Sequence, residues 1–215
     1  DLKKINIDKV QTTKQSIFLK TSMSVEKIPG YKEGYWWVQD FSSMIPLYLT
    51  NDLTNKITAD LCAAPGGKTF QLVNCGAHVK AFEKNIDRAK IMNKNLKRLK
   101  FHCKLKIMDV LNISEHEKFD LIILDAPCSS VGTIRRHPEI FFRKQIPNFN
   151  KLYILQKQLL NKAKMLLKKN GILIYMVCSF LIEEGEEKIF NFLKKNKNFS
   201  ILNFSPLNLK ESKIF

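Results

Sequence analysis

The chain has 215 residues, of which 45% are hydrophobic, and this size and composition are typical of one globular domain rather than of a disordered or fibrous chain. It contains no apolar run of about 18 residues, so a transmembrane helix is not predicted, and its first residues lack the apolar stretch of a signal peptide. The 36 lysines and arginines outnumber the 20 acidic residues, and the resulting net charge of +16 favours a polyanionic partner, most often a nucleic acid.

The charge leaves two interpretations open. Lysine, asparagine and isoleucine are abundant, so the basic surface can also be the ordinary solvated face of a lysine-rich protein. Charge does not distinguish RNA from DNA.

The five cysteines are odd in number and scattered, and they form no C-x-x-C pair. Neither a disulfide framework nor a zinc or other metal site is therefore predicted. A reducing cytoplasm is the expected compartment, and no association with a membrane is predicted. We expect a monomer. The cysteines are Cys62, Cys75, Cys103, Cys128 and Cys178.

The chain divides, on its composition, at about residue 34. Residues 1–34 are polar and lysine-rich and are predicted to form a short lead-in subdomain or the remnant of a larger one, followed by the main domain at 35–215. The sequence begins at Asp1 rather than at Met, so we expect a fragment or an edited chain. An aromatic segment then precedes a helix predicted from Ser42 onward, and its main expected role is packing.

The segment Ile57–Val73, ITADLCAAPGGKTFQLV, organises the rest of the chain. A short apolar run is followed by Pro65-Gly66-Gly67 and then by a helix-like pattern, the start of a nucleotide-binding α/β unit. The glycines let the backbone approach a ligand closely, and the helix that follows points unpaired N–H groups at the same place.

The residues that the motif lacks exclude two common classes of ligand for this turn. GGKT ends like a phosphate-binding P-loop, but Cys62 stands where that motif requires a glycine, and the G-x-G-x-x-G fingerprint of dinucleotide sites is absent. S-adenosylmethionine remains as the common ligand that needs no phosphate cradle. An ordinary glycine turn within a core is the alternative.

DLCAAPGGKT resembles the first motif of the RsmB/NOP family of RNA cytosine-5 methyltransferases, and the resemblance extends from about Trp37 to about Phe192. It implies an α/β fold, a Rossmann-like, doubly wound and mostly parallel sheet of the class I methyltransferase type. It also implies S-adenosylmethionine as the cofactor and RNA as the partner. Members usually carry a further N-terminal RNA-binding domain and a final sheet hairpin. This sequence shows at most a short lead-in in place of the first and no pattern of the second.

Strands and helices alternate regularly after the glycine turn, as in a parallel doubly wound sheet. The helix Ile86–Leu99 has one apolar stripe and one basic face. Gly171 is predicted to end the long helix before the fifth strand. The predicted elements are strands at 57–62, 79–83, 105–108, 121–124, 172–177 and 200–204, and helices at 86–99, 153–168 and 185–195.

Three acids follow successive strands, and ligands of such sheets bind beyond the carboxyl ends of the strands. Glu83 lies where a ribose-binding acid is expected, although the family usually has Asp there. By resemblance, Asp109 accepts from the adenine amino group. Lys68 either contacts the ligand or faces solvent. The predicted cofactor set is Cys62, Ala63, Ala64, Pro65, Gly66, Gly67, Lys68, Glu83, Arg88, Asp109 and Asp125.

Two cysteines follow the fourth and fifth strands, in DAPCSS and VCSF. These strands are neighbours in the methyltransferase sheet, so Cys128 and Cys178 are predicted to flank one pocket beside Asp125. A thiolate that adds to carbon 6 of cytosine makes carbon 5 nucleophilic, and Asp125 can hydrogen-bond the N3 edge of the ring. By resemblance Cys178 attacks and Cys128 assists release. Val177 replaces the usual Thr of the family.

The segment GTIRRHPEI resembles the part of the family that follows the Pro-Cys motif. Its residues Arg135, Arg136 and His137 are predicted to hold phosphates of the substrate strand, with a charged surface loop as the alternative. The sequence therefore predicts an S-adenosylmethionine-dependent cytosine-5 methyltransferase acting on RNA, ribosomal RNA in the first place. The alternatives are a tRNA cytosine-5 methyltransferase, a P-loop-like NTPase, and a non-catalytic RNA-binding relative.

Overall fold

The computed structural model describes residues 9–13, 16–19, 24–50, 52–144 and 146–202. Two short strands near the N-terminus, β1 (Lys9–Thr13) and β2 (Ser16–Leu19), pair antiparallel in a sheet of their own. The helix α1 (Phe41–Tyr48) follows, and the Asp40 side chain caps it by accepting from the Ser42 backbone N–H. The division at residue 34 stays a prediction.

A five-stranded parallel sheet forms the centre of the protein, in the order β5-β4-β3-β6-β7. All five strands are parallel, so their carboxyl ends meet at one edge of the sheet. The order reverses at β3, as in a doubly wound sheet, and the predicted fold class is confirmed. The strands are β3 (Ile57–Leu61), β4 (His78–Glu83), β5 (Lys104–Ile107), β6 (Phe119–Asp125) and β7 (Leu167–Met176).

Helices cover both faces of the sheet, and the alternating residues of β6 show why. Ile122 and Leu124 pack into one cluster with the helix Phe149–Leu166, whereas Leu121 and Ile123 pack into another with α1 and the helix Gly67–Asn74. Each of these four side chains is at most 2% exposed, and burial of each one stabilises the fold by about 1.5–3 kcal/mol. The helices after α1 are α2 (Gly67–Asn74), α3 (Ile86–Leu99), α4 (Phe149–Leu166) and α5 (Glu186–Lys195).

The segment before α1 packs against the end of α3. The Arg98 guanidinium donates to the backbone carbonyls of Tyr31 (2.6 Å) and Trp36 (3.1 Å) and lies over the Tyr31 ring. Gly34 has a φ of +78°, and a Cβ there would lie 1.8 Å from the Arg98 carbonyl oxygen. Only glycine therefore allows this close approach.

Two predictions near the C-terminus are corrected. Gly171 does not end the long helix, because α4 ends at Leu166 and β7 begins at the next residue. Asn170, with a φ of 62°, lies where the register between β6 and β7 shifts, so the turn-like residues interrupt a strand instead. Residues 200–202 are not in a strand, and 203–204, the rest of the predicted last strand, lie outside the described residues. No described helix is long and apolar enough to cross a membrane.

Candidate active site

The glycine turn connects β3 to α2 at the carboxyl edge of the sheet. Gly66 precedes α2 with a φ of +112°, and a Cβ there would lie 2.3 Å from the Phe70 ring. A side chain at this position would therefore be strained twice, by the backbone and by the ring. The first residues of α2, Gly67 and Lys68, line the space beyond the strands, and the first N–H groups of a helix have no partner within it.

A cavity of about 1600 Å³ opens along this edge, and it unites most of the predicted site. The predicted residues that line it are Cys62, Ala63, Ala64, Pro65, Gly67, Lys68, Asp125, Arg136, His137 and Cys178. Among the described residues, the predicted Gly66, Glu83, Arg88, Asp109, Cys128 and Arg135 lie outside that lining.

Glu83 supports the glycine turn from behind. Its side chain is 4% exposed, and its carboxylate accepts from the backbone N–H groups of Asn85 (2.9 Å) and Ala64 (3.3 Å). Arg88 lies 3.7 Å from the same carboxylate and donates to the Ala64 carbonyl. Both side chains thus hold the turn in place, whatever contact they make with a ligand.

Asp109 caps a short 3₁₀ helix that follows β5. Its Oδ1 accepts from the Leu111 backbone N–H at 2.9 Å, and the residue is half-buried. This is the local capping role that acids often have at such positions. The second carboxylate oxygen is the one that can serve a ligand.

Asp60 is a site residue that the sequence interpretation missed. It is 1% exposed within β3, lines the cavity, and accepts from the Thr69 hydroxyl at 2.5 Å. Its Oδ1 has no hydrogen-bond partner among the described residues. Burial raises the pKa of Asp60 to about 7. An acid inside the apolar run ITADL was the signal that could have revealed it, because an unpaired acid is rarely buried.

Lys68 extends from α2 across the end of the sheet to Asp125. Its Nζ lies 2.7 Å from Asp125 Oδ2, and the lysine side chain is only 16% exposed. The lysine therefore neither faces solvent nor stands free for a phosphate, and the P-loop-like alternative loses its main feature. The pair instead keeps Asp125 at the rim of the cavity.

The two predicted cysteines are brought together by the pairing of β6 with β7. The Sγ atoms of Cys128 and Cys178 lie 3.3 Å apart, and Cys178 Sγ is also 3.3 Å from the Ser130 hydroxyl. The hydrogen bond between Cys128 and Cys178 lowers the pKa of Cys178, and the contact with the Ser130 hydroxyl adds to this. The same hydrogen bond, together with burial, raises the pKa of Cys128. Cys178 is thus the more acidic thiol of the pair.

Two of the three residues of the basic segment 135–137 contact acidic side chains of the protein itself. Arg136 forms an ion pair with Asp40 at 2.6 Å, which connects this segment to the start of α1. His137 Nδ1 lies 2.9 Å from Glu139, and Arg135 is exposed. The predicted phosphate contacts of Arg136 would therefore compete with Asp40.

Comparison with known proteins gives a consistent result. The family model described as 16S rRNA methyltransferase RsmB/F matches residues 47–214. A probable ribosomal RNA small subunit methyltransferase B from Coxiella burnetii is 35% identical over 218 residues, which cover 97% of this chain and 50% of that protein. The chain spans about half the length of the curated relatives that it matches first.

Solved structures agree with the family match. A methyltransferase homologue from Pyrococcus horikoshii superposes with a TM-score of 0.75 at 32% identity, over 90% of this chain and 63% of that one. NSun6 from the same organism has a TM-score of 0.72 at 26% identity, over 81% of this chain and 46% of its own.

Proposed function

The chain belongs to the family described as 16S rRNA methyltransferase RsmB/F, and from this membership we propose that it transfers a methyl group from S-adenosylmethionine to carbon 5 of a cytosine in RNA, with ribosomal RNA as the substrate. The observation that carries the proposal is the thiol pair, Cys128 and Cys178, 3.3 Å apart at the ends of β6 and β7. We further propose that it acts as a monomer in the cytoplasm.

The residues at the carboxyl edge fit S-adenosylmethionine. The buried Oδ1 of Asp60, which has no hydrogen-bond partner in the described part of the chain, offers an acceptor at the cavity wall that suits a ligand carrying an amino group. The acids Glu83, Asp109 and Asp125 follow successive strands at the same edge. When bound, this cofactor supplies an electrophilic methyl group. The residues proposed to hold it are the glycine turn from Cys62 to Lys68, Arg88 and these acids.

Cys178 is the proposed nucleophile. Its thiolate adds to carbon 6 of the cytosine, the carbon 5–carbon 6 double bond opens, and carbon 5 gains the electron pair with which it takes the methyl group. The hydrogen on carbon 5 then leaves as a proton, the double bond re-forms, and the Cys178 thiolate departs. Asp125, at the end of β6, can hydrogen-bond the N3 edge of the ring during the addition.

Cys128 acts after the attack, and the geometry offers a physical reason for this order. Before the reaction, the hydrogen bond between Cys128 and Cys178 holds the pKa of Cys128 high. Once the Cys178 sulfur is bonded to carbon, its negative charge is gone, so the main factor that raises the Cys128 pKa disappears. Cys128 can then give up its own proton to solvent, and the thiolate formed in this way can accept the carbon 5 proton and so assist the release of Cys178.

The RNA contacts are proposed for Arg135, Arg136 and His137, beside the thiols. The target base has to leave its stack to reach the cavity, so an unpaired or loop cytosine is the expected substrate. Arg136 reaches a phosphate only if its ion pair with Asp40 opens, which couples RNA binding to the start of α1.

The test is methylation of ribosomal RNA from a strain that lacks the gene, followed by bisulfite mapping. We expect the purified chain with S-adenosylmethionine to protect a discrete cytosine, and Cys178→Ala to protect none. Methylation of another base, or of another position of the cytosine ring, would overturn the proposal. Transfer RNA, assayed in parallel, distinguishes the two substrate classes.

A further inference from the structure

Glu184 is a carboxylate buried under the two cysteine segments. It lies between β7 and α5 and is 0% exposed. Its Oε1 accepts from the Ser129 backbone N–H (2.9 Å) and from Gln156 Nε2 (3.0 Å), and its Oε2 accepts from the Ser129 hydroxyl (2.5 Å). A buried charge is tolerated only when it is so fully hydrogen-bonded.

The partners of Glu184 come from both sides of the thiol pair. Ser129 follows Cys128 directly, and its hydroxyl lies 3.2 Å from that of Ser179, which follows Cys178. The Ser129 hydroxyl, which the Glu184 carboxylate holds, thus joins residues 128–130 to residues 177–179.

The carboxylate is also fixed to the rest of the fold. Gln156 Nε2, on α4, donates to the Pro127 carbonyl as well as to Glu184. The Tyr175 hydroxyl, on β7, donates to the backbone carbonyl of Glu184 itself. Burial alone would raise the pKa of Glu184, but the hydrogen bonds from Ser129, Ser179 and Gln156 outweigh it and lower the pKa, so the group is ionised.

We propose that Glu184 is a positioning residue that sets the separation between the Cys128 and Cys178 sulfurs by holding their two segments together. The inference rests on the proposed function for its biological meaning, but its physical content is a property of the thiols alone. A thiol–thiolate hydrogen bond weakens steeply with distance, so a small displacement of either segment removes the stabilisation of the Cys178 thiolate.

The direction in which the Cys178 pKa shifts when Glu184 is replaced separates a positioning role from a direct effect of its charge. Removing a nearby negative charge favours a thiolate, so a purely electrostatic Glu184 would lower the Cys178 pKa when it is deleted. Loss of the hydrogen bond from Cys128 has the opposite consequence and raises the pKa. Glu184→Ala therefore distinguishes the two by the direction of the shift.

The experiment follows alkylation of Cys178 by iodoacetamide as a function of pH, quantified on the Cys178 peptide by mass spectrometry. It needs neither RNA nor S-adenosylmethionine, so it fails or succeeds independently of the proposed function. For Glu184→Ala we expect the pH midpoint of Cys178 alkylation to move up by about one pH unit. Below the midpoint this corresponds to roughly tenfold slower alkylation. Glu184→Gln, which keeps the size and most hydrogen bonds, should restore most of the native profile.

Glu183→Gln is the matched control, because Glu183 is the preceding carboxylate and is exposed. We expect it to leave the profile unchanged. If Glu184→Ala does not fold by circular dichroism, Ser129→Ala replaces it, since this variant removes only the hydroxyl that connects Glu184 to Ser179. A smaller shift in the same direction is expected. A folded variant of either kind with an unmoved or lowered midpoint, or an equal shift in Glu183→Gln, would overturn the proposal.

Discussion

The sulfur atoms of Cys128 and Cys178 lie 3.3 Å apart although 50 residues separate them in the chain. The short distance makes the two thiols unequal, because only one proton can be shared between them. The hydrogen bond between the two thiols lowers the pKa of Cys178 and raises that of Cys128. This inequality supports the proposed roles of Cys178 as the nucleophile and of Cys128 as the base that acts later.

The first prediction separates the two cysteines. Cys178→Ala should form neither adduct nor product, whereas Cys128→Ala should form the adduct and resolve it slowly. The trapped species is a retarded, thiol-linked protein–RNA band on a denaturing gel. The double variant is the control and should show no band. Trapping by Cys178→Ala with an inert Cys128→Ala would exchange the roles, as in DNA cytosine-5 methyltransferases, and full activity of both variants would exclude a covalent mechanism.

The second prediction concerns Asp60 and pH. Burial raises its pKa to about 7 in the folded state, above the unfolded value of about 3.9, so the folded protein binds more protons between these limits. Its stabilising contribution is therefore complete below pH 4 and is lost as the pH rises to 7.

Asp60→Asn should remove this pH-dependent loss of stability, because asparagine does not titrate. We expect the free energy of unfolding of the variant, relative to the native chain, to be higher at pH 8 than at pH 5 by on the order of a few kcal/mol. Urea unfolding at the two pH values measures it, with Asp87→Asn, an exposed carboxylate, as the control. An equal difference at both pH values would show that Asp60 does not titrate in this range.

The third prediction tests the cofactor acids. Glu83→Ala and Asp109→Ala should each weaken S-adenosylmethionine binding by about 1.5–3 kcal/mol, since each loses a charge-assisted hydrogen bond. Glu83→Ala should also destabilise the fold, because the Asn85 and Ala64 N–H groups lose their acceptor. Calorimetric titration measures the affinity, and Asp87→Ala should bind normally. Native affinity in both acid variants would remove them from the site.

The fourth prediction concerns the basic segment. Affinity for RNA should fall steeply with salt, since phosphate contacts release counterions, and Arg135→Ala with Arg136→Ala should reduce that slope by about two. Lys118→Ala is the control, because Lys118 lies before β6, at the edge of the sheet opposite the cysteines. A salt slope near zero in the native chain would mean that the basic surface does not bind RNA.

Local patterns were sufficient to predict the elements that line the site. The apolar stripe of α3 predicted Ile86–Leu99, which is the helix observed, and the glycine turn lies between β3 and α2 as expected. They failed where a local signal was overridden by sheet pairing. Gly171 looks like a helix stop, but hydrogen bonding to β6 begins β7 already at Leu167.

The sequence by itself determined the family and the α/β fold class, and it singled out the two candidate cysteines, because these depend on residue types and short spacings. The tertiary structure alone decided which side chains meet. Lys68 reaches Asp125 across 57 residues, and Glu184 reaches Ser129 across 55. Such contacts are set by the order of the strands, by the crossover connections and by how each side chain packs. None of these produces a periodic pattern in the sequence. Glu184 lies in a run of acids that resembles a solvated helix start, and only its complete burial reveals a different role.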